Sequence, residues 1–437
     1  CGWTPIPPVN SACKTWQMYQ GSQKHTGIQR MKANMSSGRF VKWSYPTAGI
    51  VYSSPGIGDI NNDGIPDVVV VSKDGEIYAL RGDNGSLLWS YSIGSYYVYS
   101  SPAIGDINND GIPEVVVGGS TKIYALRGNN GSLLWSYTTG GQVLSSPAIG
   151  DINNDGIPDV VVGSTDGNIY ALRGDNGSLL WSYTTGWVLS SPAIGDINND
   201  GIPDVVVGST DGAVYALRGN NGSLLWSYTT GDQVLSSPAI GDINNDGIPE
   251  VVVGSWDYKI YALRGNNGSL LWSYTTGNRV ESSPAIGDIN NDGIPDVVVG
   301  SRDSNIYALR GDNGSLLWSV LLPSYQDWPE GIKLADIDPS PGLEVIATTL
   351  CDSVHVISSN GTVLWSMRPL KTITSSVGDV DNDNCVEIVV AGIGTPMVAV
   401  IDAPGSNCGT ITPVEISETN KINYQIEKNG IKLNRAV

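Results

Sequence analysis

The residues in this chain that could do chemistry recur in one nine-residue motif, DINNDGIPD or a variant of it, starting at Asp59, Asp106, Asp151, Asp196, Asp242, Asp288, Asp336 and Asp379. Oxygen-bearing side chains stand at motif positions 1, 3, 5 and 9, and a glycine at position 6 permits a sharp turn. A hard cation such as calcium takes six to eight oxygens. Alternate positions of a tight loop can all face its centre, with position 7 adding its carbonyl. The ligands expected in the first loop are Asp59, Asn61, Asp63, the carbonyl of Ile65, and Asp67. The next five loops offer Asp106, Asn108, Asp110, Ile112 and Glu114; Asp151, Asn153, Asp155, Ile157 and Asp159; Asp196, Asn198, Asp200, Ile202 and Asp204; Asp242, Asn244, Asp246, Ile248 and Glu250; and Asp288, Asn290, Asp292, Ile294 and Asp296.

Two loops depart from the pattern. The seventh offers Asp336, Asp338, Ser340 and Glu344, with a hydroxyl for one carboxylate and Pro341 for the glycine. The eighth has four carboxylates, Asp379, Asp381, Asp383 and Glu387, and Asn384 for the glycine. The seventh is expected to bind most weakly or to stay empty, so the expected cofactor is six to eight calcium ions. Charge favours occupancy. The loops hold 25 of the 43 acidic residues, three in each of the first seven and four in the eighth, and the formal net charge is −19. Eight divalent ions would bring it to about −3, whereas three or four bare carboxylates in each turn would repel one another.

These loops sit in a longer unit, SSPAIGDINNDGIPDVVVGSTDGNIYALRGDNGSLLWSYTTG, whose steps run from 43 to 48 residues. That period suits a propeller blade of four short strands: A as SSPAIGDI, B as DVVVGS, C as NIYALRG and D as SLLWSYTT. Strand B is continuously β-branched, as a strand covered on both faces should be, and D alternates. The DG and NG pairs between strands predict hairpins with type I′ turns. Strand-D tryptophans number eight: Trp43, Trp89, Trp135, Trp181, Trp226, Trp272, Trp318 and Trp365. Eight A–B–C units follow them in turn, the last without its own strand D. The fold class is therefore all-β, an eight-bladed propeller of four-stranded antiparallel blades closed by an N-terminal strand that completes the last blade. The expected organisation is an N-terminal extension at 1–40, the propeller at 41–405 and a C-terminal β-hairpin tail at 406–437.

The AIGDINNDGIPDVVV half resembles FG-GAP repeats, the calcium-loop blades of integrin α-chain propellers. Its loop begins like an EF-hand but closes at position 9, which is the FG-GAP arrangement. The IYALRGDNGSLLWSYTTG half is similar to the PQQ-like repeat of quinoprotein dehydrogenases and outer-membrane assembly lipoproteins, as is the lead-in WQMYQGSQKHTG from Trp16 to Gly27. The PQQ-like resemblance implies that the strand-D tryptophans pack between blades. The repeated Arg81, Arg127, Arg173, Arg218, Arg264 and Arg310 are expected to neutralise nearby acidic turns.

In such a ring the A–B and C–D turns share one face, uniform here from blade to blade. It carries N-glycosylation sequons at Asn84, Asn130, Asn176, Asn221, Asn267, Asn313 and Asn360, besides Asn34, although Asn-Gly is also simply a favourable turn. The B–C and D–A turns share the opposite, variable face. Tyr96, Tyr97, Trp187, Trp256, Tyr325 and Trp328 are its candidate partner contacts, as exposed aromatics among polar residues suit protein or carbohydrate.

With only 24 basic residues and no basic cluster, nucleic acid is not an expected partner, and no apolar run is long enough to span a membrane as a helix. The chain starts at Cys1, which suggests an exported protein with its leader removed, placed outside the cell or on its surface, with a lipid anchor at Cys1 as one option and a disulfide to Cys13 as another. Five cysteines, Cys1, Cys13, Cys351, Cys385 and Cys408, are read as two disulfides and one odd thiol, Cys385 with Cys408 being the first pairing considered. The tail, with Ile422, Tyr424 and Ile426 before Asn429-Gly430, predicts a hairpin that caps its own rim or adds to a neighbouring copy. With six near-copied blades and histidines only at His25 and His355, the expectation is a non-enzymatic scaffold, adhesive or filament-forming. Its partners would be copies of itself or surface proteins and glycans. A lectin or adhesin using the variable face is the alternative, ahead of a quinoprotein dehydrogenase or a polysaccharide lyase.

Overall fold

The computed structural model describes residues 28–33, 35, 38–94, 98–322, 329–339, 341–349, 353–367, 371–393, 398–402, 426–427 and 430–431. They form an eight-bladed β-propeller. The first blade comprises Gly56–Gly58, Asp67–Val71, Glu76–Arg81 and Leu87–Ser92, joined antiparallel in that order. Five near-copies follow at 103–138, 148–184, 193–229, 239–275 and 285–321. The eighth blade consists of Lys371–Gly378, Glu387–Ile393 and Val398–Asp402, and its outer strand is Phe40–Tyr45, antiparallel to Val398–Asp402. Ring closure by the N-terminal strand is thus as the counts of tryptophans and A–B–C units imply.

One feature was not expected. Ile28–Lys32 pairs in parallel with Pro329–Asp336, giving the seventh blade a fifth strand on its strand-A side. This lead-in continues along the seventh loop, where the Ala33 N–H donates to the Asp336 carbonyl at 2.8 Å and the Met35 N–H to that of Ile337 at 2.9 Å.

Burial follows residue chemistry. Strand B is buried throughout, as in DVVVG at Asp159–Gly163, whereas strand D at Leu179–Thr184 alternates and buries Trp181. The turns differ from the type I′ reading. Only the glycine has positive φ, +90° at Gly75 and +72° at Gly85. Gly75 N–H bonds to the Ser72 carbonyl, and Gly85 N–H bonds to that of Arg81. These are three- and four-residue loops ending in a left-handed glycine, which the strand twist also accommodates. Tyr258 and Ser304 hold the equivalent conformation without glycine, at +73° and +68°.

Blades are joined by three repeated contacts. The strand-D indole N–H groups from Trp43 to Trp318 each donate to a carbonyl of the next blade, as Trp135 does to Gly174 at 2.6 Å and Trp181 to Gly219 at 2.6 Å. Tyrosines pair across the same seams, with ring centroids 5.7 Å apart for Tyr137 and Tyr170. The second serine of each SSP triplet links strand A to strand A: Ser54, Ser101, Ser146, Ser191 and Ser237 each donate a backbone N–H to the next serine hydroxyl at 2.8–3.0 Å. Ser54 Oγ also meets Thr374 of the eighth blade at 2.7 Å, which carries the chain of bonds across the closure.

Cys385 is disulfide-bonded, and its expected partner Cys408 lies outside the described residues, as do Cys1, Cys13 and Cys351. At the C-terminus, Ile426–Glu427 and Gly430–Ile431 form a short antiparallel pair.

Candidate metal centres

Each loop bridges strands A and B on the uniform face. In the first, the Asp59 carboxylate accepts the N–H groups of Asp63 at 3.0 Å and Gly64 at 2.8 Å, Asn61 Oδ1 accepts that of Asp63 at 2.9 Å, and Asp63 Oδ1 accepts that of Ile65 at 3.0 Å. These bonds fold the side chains of positions 1, 3 and 5 back onto the loop backbone while position 6 bends the chain, with φ of +87° at Gly64. The same four bonds recur in the loops beginning at Asp106, Asp151, Asp196, Asp242 and Asp288.

Position 9 behaves differently. Asp67, Asp159, Asp204, Asp296 and Glu387 are all buried to 1 % exposure or less, and each has at least one carboxylate oxygen with no hydrogen-bond partner. Neither oxygen of Asp67 or of Asp159 makes a well-formed hydrogen bond, and the nearby backbone N–H groups of Ile60 and Ile152 only temper the charge. Burial pushes the Asp67 carboxyl up to about 8, helped by the neighbouring charges of Asp63 and Asp59. Burial likewise lifts Asp159, Asp204 and Asp296 to about 7 and Glu387 to about 9. In two regular loops glutamate stands at position 9: Glu114 and Glu250 accept the backbone N–H of Ile107 and Ile243, as Asp296 accepts that of Ile289, and the extra methylene also brings them to the side-chain amide of Asn108 and Asn244. A buried carboxylate without a partner is costly. A cation bound to Asp59, Asn61, Asp63, the Ile65 carbonyl and Asp67 would answer that cost, so this donor set fits calcium chemistry.

The two irregular loops diverge. In the eighth, Asn384 takes the turn at φ +69°, and Asp379 accepts the N–H groups of Asp383 and Asn384 at 3.1 and 3.0 Å, so losing glycine leaves the turn intact. One oxygen each of Asp379, Asp381 and Glu387 lies within 4.8 Å of the others. Lys42 of the closing strand bonds to Asp381 and lies 3.1 Å from Asp402. In the seventh loop, Glu344 turns instead to the N–H groups of Ile337 and Asp338 at 2.8 and 3.0 Å, and the lead-in occupies the carbonyls of Asp336 and Ile337. Ser340 lies outside the described residues.

Five of the six repeated arginines contact the loops, among them Arg81 with Asp63 at 2.7 Å, Arg173 with Asp155 at 3.0 Å and Arg310 with Asp292 at 2.7 Å. Sequence reasoning passed over position 4. Asn62, Asn109, Asn154, Asn199 and Asn245 are left-handed, with φ of 56–59°, and each donates its side-chain amide to the position-6 glycine carbonyl of the next loop at 2.5–2.8 Å. The doubled NN was the available signal, since only its first asparagine is needed as a ligand.

On the same face the seven Asn-Gly sequon asparagines, from Asn84 to Asn360, are exposed. Asn84 Oδ1 accepts the Ser86 N–H at 2.8 Å, a local turn bond that holds without any glycan. Asn34 is outside the described residues, as are Tyr96, Tyr97, Tyr325 and Trp328 on the variable face. Trp187 is 61 % exposed. Trp256 is covered by the Arg279 guanidinium, 4.0 Å from its ring centroid, beside an Arg302–Glu281 ion pair of 2.6 Å. His355 Nδ1 lies 2.7 Å from Ser366 Oγ, a nucleophile–base pairing that the sequence did not suggest. It occupies the cross-strand position held by Tyr170 and Ser182 in the third blade, so it is a variant of a repeated packing pair.

The FG-GAP-like repeat family model matches residues 59–117. A second model, described as outer membrane protein assembly factor BamB, matches residues 110–245, 156–299 and 201–386, together more than half of the chain. No curated protein matches the sequence. Among solved structures, BamB from Moraxella catarrhalis is similar, with a TM-score of 0.63, 17 % identity, and coverage of 84 % of this chain and 98 % of that one. The V. cholerae biofilm matrix protein Bap1 matches with a TM-score of 0.66, 16 % identity, and coverage of 84 % and 91 %. A quinohemoprotein alcohol dehydrogenase from Pseudomonas putida matches with a TM-score of 0.70, 13 % identity, and coverage of 91 % and 82 %. At such identities the likeness is one of fold. Motifs, blades and family models agree, and the chain belongs to the family of PQQ-like repeat propellers, with FG-GAP-like loops set into its blades.

Proposed function

We propose that this protein is a calcium-stabilised, non-enzymatic scaffold of the cell exterior, an adhesive or filament-forming subunit. The observation that carries the reading is the set of buried position-9 carboxylates with orphaned oxygens, above all Asp67 and Asp159. Such groups are tolerated where a cation completes them, and the metal's binding energy then becomes folding energy. A surface location suits millimolar calcium and loops rich in exposed sequons. The near-identical blades present the same groups around the ring, which suits repeated contacts better than an asymmetric reaction. Copies of the chain, or surface proteins and glycans, would be met by the variable face at Trp187 and by the rim, where each of the first six blades exposes the first leucine of strand D, from Leu87 to Leu316, and the sixth exposes Leu321 as well.

The test is calcium counting and thermal melting of the full chain before and after stripping with a chelator. Six to eight ions per chain and a fall in Tm of tens of degrees on stripping are expected. Absence of bound calcium, or an unchanged Tm, defeats the calcium role. Alcohol oxidation after addition of pyrroloquinoline quinone would defeat the non-enzymatic role.

A further inference from the structure

The position-4 asparagines are not ligands in the loop pattern, yet each stands between two that are. Asn154 lies between Asn153 and Asp155, and its amide reaches out of its own loop to the Gly201 carbonyl, 2.8 Å away in the next. That acceptor lies between Asp200 and Ile202, a carboxylate and a carbonyl expected to bind the ion of the fourth loop. The same geometry joins loop one to two through Asn62 and Gly111, two to three through Asn109 and Gly156, four to five through Asn199 and Gly247, and five to six through Asn245 and Gly293. Five bonds therefore tie six loops into one directed row. It stops at Asn291, which faces a seventh loop with prolines at positions 4 and 6 and has no described bond of this kind.

From this row we infer that calcium binds to the six regular loops cooperatively, each filled loop preparing its neighbours through the position-4 asparagine. The inference rests on the calcium reading above and deepens it. A bare loop crowds three carboxylates into one turn, so its position-6 carbonyl is held less firmly than in a loop drawn around an ion. Filling one loop fixes the acceptor for the asparagine before it. That asparagine, once fixed, holds the backbone between two ligands of its own loop. The effect is reciprocal, as a coupling between sites must be. One such bond per junction makes the coupling modest at each step, a gain of about two- to fivefold in affinity per filled neighbour, and it accumulates along the row. Within this row the second to fifth loops each have a bonded neighbour on both sides.

The experiment is a calcium titration of the stripped full chain, read by equilibrium dialysis, for the natural sequence and for two variants. One carries Asn→Gly at positions 62, 109, 154, 199 and 245, and the other only Asn154→Gly, which divides six loops into two groups of three. Glycine keeps the left-handed backbone and removes only the bridging amide. The natural chain should give a Hill coefficient clearly above 1, the single variant a smaller value and the fivefold variant a value near 1, all at equal stoichiometry. If the fivefold variant does not fold, the single variant carries the comparison. A Hill coefficient of 1 in the natural chain, or one that Asn154→Gly leaves unchanged, overturns the inference while leaving the calcium reading intact. No binding at all overturns the calcium reading itself.

Discussion

The ring of Trp181 lies on Gly222 of the following blade, so close that a Cβ built on that glycine would fall 2.7 Å from the indole. Its N–H is bonded to the Gly219 carbonyl at 2.6 Å. Gly222 also has φ of +68°, so the NG turn needs glycine twice, for the backbone and for the neighbouring tryptophan.

Gly222→Ala should accordingly destabilise the protein by about 3 kcal/mol, from left-handed strain together with overpacking. Gly201→Ala offers a comparison, since Gly201 has φ of +86° but open space around its Cβ position. It should lose only the strain component, and calcium-saturated thermal melts of both variants measure the difference.

Asp159→Asn should change sign with calcium. In stripped protein it removes a buried orphan charge and raises stability by about 1–3 kcal/mol. In calcium-loaded protein it weakens a ligand and lowers stability. Denaturant titration with and without calcium distinguishes the two, and a variant less stable in both states would contradict the reading of the orphaned oxygens.

Lys333 is buried in strand A of the seventh blade, and desolvation draws its ammonium down to about 7 from an ordinary 10.5. Between these values the unfolded chain binds a proton that the folded chain does not, so stability rises with pH across that window. Below about pH 7 both states are protonated and the cost is full. Lys333→Met should remove this pH dependence, so the variant's stability relative to the natural chain should be highest at pH 6–7, and that gain should shrink towards pH 10. A gain that does not vary with pH would count against it.

Ser191→Ala removes the acceptor of the Ser146 N–H, bonded at 3.0 Å in a buried seam. A loss of about 1–3 kcal/mol is expected, as for any orphaned buried donor. A double-mutant cycle with Trp135→Phe, which acts at the seam between the second and third blades, should be near additive because the two changes share no partner.

Much of this was legible because the same experiment is written along the chain several times over. Repetition separated loop from strand, and the unmatched Trp43 announced the closing strand. What escaped was what joins one blade to the next. The SSP serines read as the start of a strand, and only the assembled ring shows that Ser146 reaches Ser191. Asn154 was passed over because its acceptor lies in another repeat. The seventh loop read as a weak site because of its hydroxyl ligand and Pro341, and what the sequence did not show is that the lead-in backbone at Ala33 and Met35 bonds to its carbonyls, which no local pattern could place there. Turn type was misjudged because Asp-Gly and Asn-Gly also occur in longer turns with a single left-handed glycine.

The closing strand has a consequence in time. Lys42 and Asp402, which meet across the final sheet, are 360 residues apart. At about 5–20 residues per second of synthesis, the first strand waits roughly 20–70 s before its partner exists. Through that interval it presents a bare edge, and by its end seven complete blades stand as an open arc. The ring is therefore a late event, and whatever meets the nascent chain meets an arc with two sticky ends. The arc becomes a finished object only when its last blade is made.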